Sequence, residues 1–397
     1  MSRIDELIRE LCPDGVEFRP LGTLGRRNKG TSITAAQMKR IARDRGPIRV
    51  FAGGQTIADV AEASVPAKDV VRVPSIVVRS RGHIGFTYYD RPFTHKSELW
   101  SYSILRDDVD QKFIYYYLLT QVTRLQEIAR ATSVKLPQLG VGDTDKLLIP
   151  IPPLEVQREV VRILDTFTEL EAELEAELEA RQRQYAHYWD SLLTPRAGWR
   201  KMTVGQIADI FDGPHATPKK TIAGPWYLSI SSLRDGRFDL AESAHLGEDE
   251  FAAWTSRVAP RPGDTLFSYE TRVGQAAYWD RDEPAALGRR MGLLRPRESM
   301  VDPRFLTLAF LGPQFQALIR TKTVHGATVN RIPIADMAMW GMSIPPLDEQ
   351  CRIVSVLDKF DALVNDLSIG LPAELAARRK QYEYYRDRLL TFKEAAA

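Results

Sequence analysis

Residues 151–193 read IPPLEVQREVVRILDTFTELEAELEAELEARQRQYAHYWDSLL, and the chain contains a second version of this stretch at residues 344–390. Residues 151–170 align on residues 344–363 without gaps, with ten identical positions. After an insertion of four residues in the second copy, residues 181–193 align on residues 378–390 with seven identical positions. A period of about 190 residues is too long for a solenoid. The repeat therefore indicates two copies of a unit that consists of a domain and the helix after it.

The repeated stretch has the pattern of a long helix that packs against another helix. Between positions 160 and 192, apolar residues recur at alternating steps of four and three, interrupted by Glu171 and Arg181. This spacing is typical of a coiled-coil seam. About 40 helical residues would make a rod of roughly 60 Å. In the second copy, Gly370-Leu371-Pro372 predicts a kink or an interruption of the helix.

The composition is that of an ordinary globular protein. Of 397 residues, 44% are apolar and 27% are charged, and only two are cysteines. Two cysteines in non-matching places argue against a disulfide scaffold and against a cysteine metal site. No apolar run approaches the length of a membrane span, and the first residues lack the apolar core of a signal peptide. We therefore expect a cytoplasmic protein.

The small net charge of +2 conceals a segregation of charge along the chain. Residues 14–150 carry 21 Lys and Arg against 14 Asp and Glu, and residues 194–343 carry 19 against 16. Residues 151–193 carry 4 against 10, and residues 344–397 carry 8 against 9. Two basic domains on acidic helices are what DNA-facing domains on a solvated scaffold would show, although charge alone is a weak signal.

Short strand-like runs followed by a helix predict that both domains are α+β. We expect an N-terminal helix in residues 1–13, a first domain in 14–150, a helical spacer in 151–193, a second domain in 194–343 and a second spacer in 344–397. The patterns predict one helix at residues 112–130 and one at about 303–321. Antiparallel pairing of the two spacers would make a pseudo-twofold object with the domains at opposite ends. Two DNA half-sites one helical turn apart lie about 34–36 Å from each other, a distance that such a rod could span.

This organisation resembles the specificity subunit of Type I restriction–modification systems. The resemblance lies in Pro152-Pro153-Leu154, Gln157 and Leu164-Asp165, with their second copies, and in RQRQYAHYWDSLL (181–193) and RRKQYEYYRDRLL (378–390). It implies two target-recognition domains, joined by two helical spacers, that read an asymmetric two-part DNA target. It also implies a subunit without catalysis of its own. Adenine methylation and cleavage would then come from two methyltransferase subunits and from restriction subunits, which use S-adenosylmethionine and ATP with Mg²⁺.

The chain itself offers few catalytic motifs. Residues 25–32 approach a phosphate-binding loop, but Thr31 stands where the lysine is required, so a plain basic loop is the better interpretation. The six histidines form no metal-ligand spacing. No cofactor or metal is expected in this chain.

Two matched loops are the main candidates for DNA contact. Residues 79–85 (RSRGHIG) lie between strand-like runs and precede Tyr88-Tyr89-Asp90, and residues 268–274 (SYETRVG) precede Tyr278-Trp279-Asp280 at nearly the same distance. Arginine suits bidentate contacts with guanine, and Glu270 could accept from a cytosine amino group. The matched tail segments near residues 133–135 and 328–331 suit phosphate contacts. Basic segments near residues 96 and 219 are further candidates. The candidates are Arg79, Arg81, Gly82, His83, Lys96, Ser133, Lys135, Thr217, Lys219, Lys220, Tyr269, Glu270, Thr271, Arg272, Thr328, Asn330 and Arg331.

Other interpretations stay open at this point. The arginines of the matched loops could merely solvate a β-hairpin, and for the segment around Thr217, Lys219 and Lys220 the two readings are evenly balanced. A nuclease or methyltransferase that acts alone is a second hypothesis, which the missing motifs disfavour. A third is a coiled-coil scaffold whose domains bind protein or glycan; salt-insensitive failure to bind DNA would favour it.

Overall fold

The computed structural model describes residues 3–132, 135–234, 236–326, 328–366 and 368–395. The chain forms two compact units, Met1–Glu175 with Leu375–Ala397, and Ala176–Glu374. Each unit contains one α+β domain together with parts of both helical segments. The predicted mixture of helix and sheet in two domains is confirmed.

The first unit is built on two four-stranded sheets. The antiparallel one has the order Arg26–Lys29, Trp100–Ser103, Ser75–Arg79 and Gly85–Tyr89. The other has the order Ala42–Arg43, Ile57–Val60, Ile48–Phe51 and Phe93–His95, of which the last two strands are parallel. Strand Glu17–Pro20 pairs with Leu148–Ile151 where the chain enters and leaves the domain. The apolar run Ser75–Arg79 is buried at its first four positions because both faces of its sheet are covered.

The second unit repeats this design with one smaller sheet. Its antiparallel sheet has the order Ala208–Asp212, Met291–Pro296, Thr265–Ser268 and Ala276–Tyr278. A three-stranded sheet has the order Ala244–Leu246, Lys220–Leu228 and Ala285–Leu287. The entry pair is Arg200–Thr203 with Gly341–Ile344. Two short antiparallel pairs are Leu233–Arg234 with Arg237–Phe238, and Val324–His325 with Asn330–Arg331.

The helices of the domains are short. Those of the first unit are Arg3–Leu11, Leu21–Leu24, Ala35–Ile41, Gln111–Thr120, Val122–Thr132 and Val141–Asp145. Those of the second unit are Val204–Ile207, Glu248–Trp254, Pro303–Leu311 and Pro313–Lys322. The single helices expected at residues 112–130 and 303–321 are wrong, since each is a pair of helices that meet at Gln121 and Gly312. In the second pair Pro313 begins the new helix, where its missing N–H costs nothing.

The helical segments follow the predicted pattern and its predicted interruption. The first is one helix of 40 residues, Leu154–Leu193. The second is two helices of 19 residues, Leu347–Asn365 and Leu371–Leu389. A Cβ atom on Gly370 would lie 2.5 Å from the carbonyl oxygen of Ala362 and 2.7 Å from that of Leu363. Glycine is therefore required where the chain turns back close to the end of the preceding helix.

The helical segments run antiparallel within each unit, and equivalent aromatic residues make the contact. In the first unit the ring of Phe167 stacks on Tyr385, with centroids 5.6 Å apart. In the second unit the ring of Phe360 lies 5.1 Å from that of Tyr188. Phe360 is the second copy of Phe167, and Tyr385 is the second copy of Tyr188. The same pair of aromatic residues is thus made twice. In the first unit the phenylalanine comes from the first helical segment, and in the second unit it comes from the second.

A buried glutamine attaches each helical segment to its own domain. Gln157 is fully buried; its amide donates to the carbonyl oxygens of Pro152 (2.7 Å) and Asp108 (3.0 Å), and its oxygen accepts from the Asp110 N–H (2.7 Å). Gln350, also fully buried, makes the equivalent bonds to Pro345, Met300 and Asp302. The identical glutamines of the repeat therefore fix the start of each helix against the loop before a domain helix.

A repeated aspartate provides a second attachment. In the first unit Asp165 accepts from the ammonium of Lys112 at 2.7 Å and from the Tyr116 hydroxyl at 2.6 Å. In the second unit Asp358 accepts from the guanidinium of Arg304 at 2.9 Å. Leucine residues that precede these aspartates, Leu164 and Leu357, are completely buried. The motifs shared by the two copies thus hold a domain on a helix.

Candidate nucleic-acid interface

In the first unit the predicted loop at residues 79–85 pairs with a second candidate segment. The Gly82 N–H donates to the carbonyl oxygen of Pro137 at 2.9 Å, and the Leu139 N–H donates to that of Ser80 at 2.9 Å. Arg81 lies opposite Gln138 in an antiparallel bridge. The loop therefore lies against the residues that follow Lys135, and two separate stretches of sequence form one surface.

The second unit builds the same arrangement. The Ile332 N–H donates to the carbonyl oxygen of Tyr269 at 2.9 Å, and Glu270 lies opposite Arg331 in an antiparallel bridge. The Thr271 N–H donates to the carbonyl oxygen of Asn330 at 3.2 Å. The loop and the segment at residues 328–331 are thus brought together.

The backbone gives a residue-by-residue alignment of the two loops. Arg81 aligns with Glu270, and each is bridged to an equivalent residue of the tail segments, Gln138 and Arg331. The next residue has a positive φ in both loops, +73° at Gly82 and +67° at Thr271. A positive φ is uncommon outside glycine, so the second loop adopts the turn of the first in spite of its threonine.

A glutamine on a domain helix stabilises each loop. The amide of Gln126 donates to the carbonyl oxygen of Gly82 at 3.3 Å, and its oxygen accepts from the Ile84 N–H at 3.0 Å. The amide of Gln316 donates to the carbonyl oxygen of Gly274 at 2.9 Å. Sequence reasoning missed both glutamines, although they occupy matching places in the second helix of each helix pair.

The candidate side chains of the first unit differ in their availability. Arg81, His83 and Lys135 are exposed. Arg79 is half-buried: its guanidinium donates to the carbonyl oxygen of Gly54 and to the Thr87 hydroxyl, and burial lowers its pKa. Lys96 lies 2.7 Å from Glu98. Arg79 and Lys96 are thus engaged inside the domain, while Arg81 and His83 project from it; Ser133 lies outside the described residues.

In the second unit a chain of polar contacts surrounds Glu270. Its carboxylate lies 3.1 Å from Nε of Arg290. The guanidinium of Arg290 donates to Nδ1 of His215 at 2.6 Å, and Nε2 of the same ring lies 3.0 Å from the carboxylate of Asp212. Because a guanidinium can only donate, Nδ1 of His215 accepts in this contact. Tyr269 packs beside this cluster, and its burial and the neighbouring Asp212 carboxylate raise its pKa.

The other candidates of the second unit lie in two places. Arg272 is half-buried. Its backbone N–H donates to the carbonyl oxygen of Glu270, and its guanidinium lies 3.4 Å from the carbonyl oxygen of Ile230. Thr328, Asn330 and Arg331 are exposed beside the loop. Thr217 and Lys219 are exposed ahead of strand Lys220–Leu228, and Lys220 lies over the ring of Tyr227. This basic segment leads into the three-stranded sheet, whereas the loop follows a strand of the antiparallel sheet.

Among the described residues, no group of three or more His, Cys, Asp or Glu residues is placed to hold a metal ion. No helix among those residues is both long and apolar enough to cross a membrane.

Comparison with known proteins identifies the class. The chain belongs to the family of the Type I restriction modification DNA specificity domain, whose model matches residues 13–180 and 197–377. Each match covers one α+β domain and part of the helical segment that follows it. The chain is therefore a Type I specificity subunit with two DNA-recognition domains, as the sequence resemblance indicated.

Individual relatives agree with this assignment. The specificity subunit of the type I restriction enzyme EcoR124I/EcoR124II of Escherichia coli is 32% identical over 297 residues, which cover 71% of this chain and 70% of that protein. A protein of Haemophilus influenzae named as a type I restriction enzyme specificity subunit is 30% identical over 303 residues, covering 72% and 74%. The crystal structure of an S subunit from M. genitalium matches with a TM-score of 0.57 at 16% identity, over 95% of this chain and 96% of that one. This likeness supports the fold.

Proposed function

We propose that this chain is a non-catalytic subunit that recognises an asymmetric DNA target in two parts, one part with each recognition domain. The observation that carries the proposal is the duplicated pair of segments, a hairpin loop bridged to a tail segment, in both domains. The two copies share a backbone but differ in side chains, as expected of two readers with different targets. Base edges in the major groove are distinguished by such side-chain differences.

Within each domain we assign different roles to the loop and to its surroundings. Arg81 is exposed and suits a bidentate contact with guanine, while Glu270 suits a cytosine amino group. The exposed cations Lys135, Arg331 and Lys219 suit phosphate oxygens, which position a protein on DNA without reading sequence. Arg79 and Lys96 act indirectly, because their side chains hold the domain together.

The reaction itself belongs to other subunits in this proposal. Two methyltransferase subunits that use S-adenosylmethionine would methylate adenines in the target, and restriction subunits that use ATP and Mg²⁺ would cleave unmodified DNA. Those subunits would bind the outer faces of the helical segments, where acidic residues lie exposed along Leu154–Leu193. The complex would act in the cytoplasm, where it meets the DNA.

The test is to co-express the chain with the methyltransferase subunit from its source organism, purify the complex through the chain, and sequence methylated genomic DNA from the same cells. The expected result is a stable complex and methylated adenines within two specified blocks separated by unspecified base pairs. A complex without methylation, or a single continuous motif, would contradict the proposal. Methylation by the purified chain alone would show that it is an enzyme.

A further inference from the structure

Three equivalent positions carry charges of opposite sign in the two domains. Val78 lies opposite Trp100, and Trp100 lies opposite Lys29. In the second domain Phe267 lies opposite Gly292, and Gly292 lies opposite Asp212. Because Val78 aligns with Phe267, these registers make Lys29 equivalent to Asp212.

The same registers identify a second and a third position. Glu98 stands two residues before Trp100, and Arg290 stands two residues before Gly292, so Glu98 is equivalent to Arg290. The bridged loop residues Arg81 and Glu270 are equivalent as well. The first domain therefore carries Lys29, Arg81 and Glu98 where the second carries Asp212, Glu270 and Arg290. The sign of the charge is reversed at every one of these positions.

In the first domain the arrangement leaves the loop cation available. Glu98 is held by Lys96 at 2.7 Å, and only 19% of its side chain is exposed. Burial raises the pKa of Glu98, but the hydrogen bond from Lys96 and the nearby charges of Lys96 and Arg81 outweigh it and leave the pKa below its ordinary value. Glu98 is thus ionised and near Arg81, whose guanidinium makes no hydrogen bond or ion pair within the described part of the chain. The exposed guanidinium of Arg81 can therefore donate outward, with the negative charge of Glu98 nearby.

In the second domain the arrangement leaves acceptors available. The side chain of Glu270 is 18% exposed, and Nε of Arg290 lies 3.1 Å from one of its two carboxylate oxygens. Arg290 is itself held in place, because its guanidinium bonds to His215, which bonds to Asp212. A carboxylate has about four lone-pair sites, so one contact leaves it free to accept from another donor. The same place in the fold thus presents acceptors instead of donors.

We propose that this reversed charge pattern sets the base read at one equivalent position in each half-site, guanine for the Arg81 domain and cytosine for the Glu270 domain. Arginine pairs with the O6 and N7 acceptors of guanine, whereas a carboxylate accepts from the N4 amino group of cytosine. Glu98 and Arg290 are positioning residues, since each lies beside the loop residue that would touch the base. This inference rests on the proposed function, because it requires that both loops face DNA.

The experiment determines the methylated motif of the complex with its methyltransferase subunit for the unaltered chain, for Glu270→Gln and for the double exchange E270R/R290E. Glutamine pairs bidentately with adenine, so E270Q should lower the preference for cytosine at one position about tenfold and favour adenine there. The double exchange should favour guanine at that position. The other half-site should stay unchanged in both variants, which also shows that the complex is assembled.

The control is Asp209→Asn, which removes an exposed carboxylate from an ion pair with Arg297 (2.8 Å) on the same sheet but outside the loop. Its motif should equal that of the unaltered chain. If the double exchange abolishes methylation, the motif methylated by the E270Q complex is the test of the inference. An E270Q complex that methylates an unchanged motif, or one whose specificity relaxes at several positions, overturns the inference. Absence of a two-part motif in the unaltered complex would instead refute the proposed function.

Discussion

At the scale of single residues, the buried glutamines of the repeat have a clear energetic role. Replacing Gln157 by alanine would leave the Asp110 N–H and the carbonyl oxygens of Pro152 and Asp108 without their partner. We expect the free energy of unfolding of the first unit to fall by about 3 kcal/mol, because each buried unsatisfied group costs roughly 1–3 kcal/mol. Urea denaturation measures this, with the exposed Gln182→Ala on the same helix as control. Equal stability of the two variants would contradict the assigned role.

A buried histidine makes the first unit sensitive to acid. His95 is completely buried between Lys96 and Ser101, and burial lowers its pKa in spite of the nearby Glu98. Below pH ~6.5 the unfolded chain binds a proton that the folded chain does not, so stability should fall as the pH is lowered from 7 to 5. The variant His95→Gln should lose this part of the pH dependence in urea denaturation at several pH values. The control variant His187→Gln, at an exposed position, should keep this pH dependence. If both variants lose it, groups other than His95 cause the pH dependence.

Sequence reasoning located the candidate loops but not their supporting residues. Arg81 and Glu270 were found because RSRGHIG and SYETRVG occupy similar places, each between strand-like runs and shortly before two aromatic residues and an aspartate. Arg290 and Glu98 were not, because their approach to the loops depends on strand register, which the sequence alone does not reveal. The same limitation hid the contacts of Arg79, whose half-buried guanidinium donates to the carbonyl oxygen of Gly54 and to the Thr87 hydroxyl.

At the scale of elements, the break in the second helical segment is a required feature. A Cβ at Gly370 would lie within 3 Å of three backbone oxygens at the end of the preceding helix, which belong to Ala362, Leu363 and Asp366. Overpacking of this kind typically costs about 1–3 kcal/mol, so Gly370→Ala should lower the melting temperature. Gly247, around which a Cβ would meet no atom within 4 Å, is the matched control. A Gly370→Ala chain as stable as Gly247→Ala would contradict the account.

The helical segments were easier to predict than the domain helices. Positions 160–192 repeat at steps of three and four, and in the structure these positions are buried or half-buried. The paired helices escaped prediction because apolar residues recur at helical spacing on both sides of Gln121 and of Gly312, although Gly312-Pro313 is itself a signal for a break. Local hydrogen bonding at a helix end decides such breaks, and periodicity does not record it.

At the scale of the whole molecule, duplication explains why one chain has matching attachments at Gln157 and Gln350 but dissimilar loops. The attachments recur because each domain must be held on a helix in the same way. The loops are free to differ because the backbone bridge that positions them does not depend on the side chains at the tip. Because the residues that attach the domains are separate from the loops proposed to contact DNA, we predict that the two halves of a DNA target can be altered independently.

The most direct test of that claim is the methylated motif of complexes that carry Arg81→Ala in the chain, read by sequencing methylated genomic DNA beside that of the unaltered complex. Arg81 is exposed and makes no ion pair within the described residues, so its loss should leave the domain folded. We predict a two-part motif in which one block loses its preference for guanine at one position and the other block is unchanged. Equal relaxation of both blocks, or a motif that does not change at all, would contradict the account.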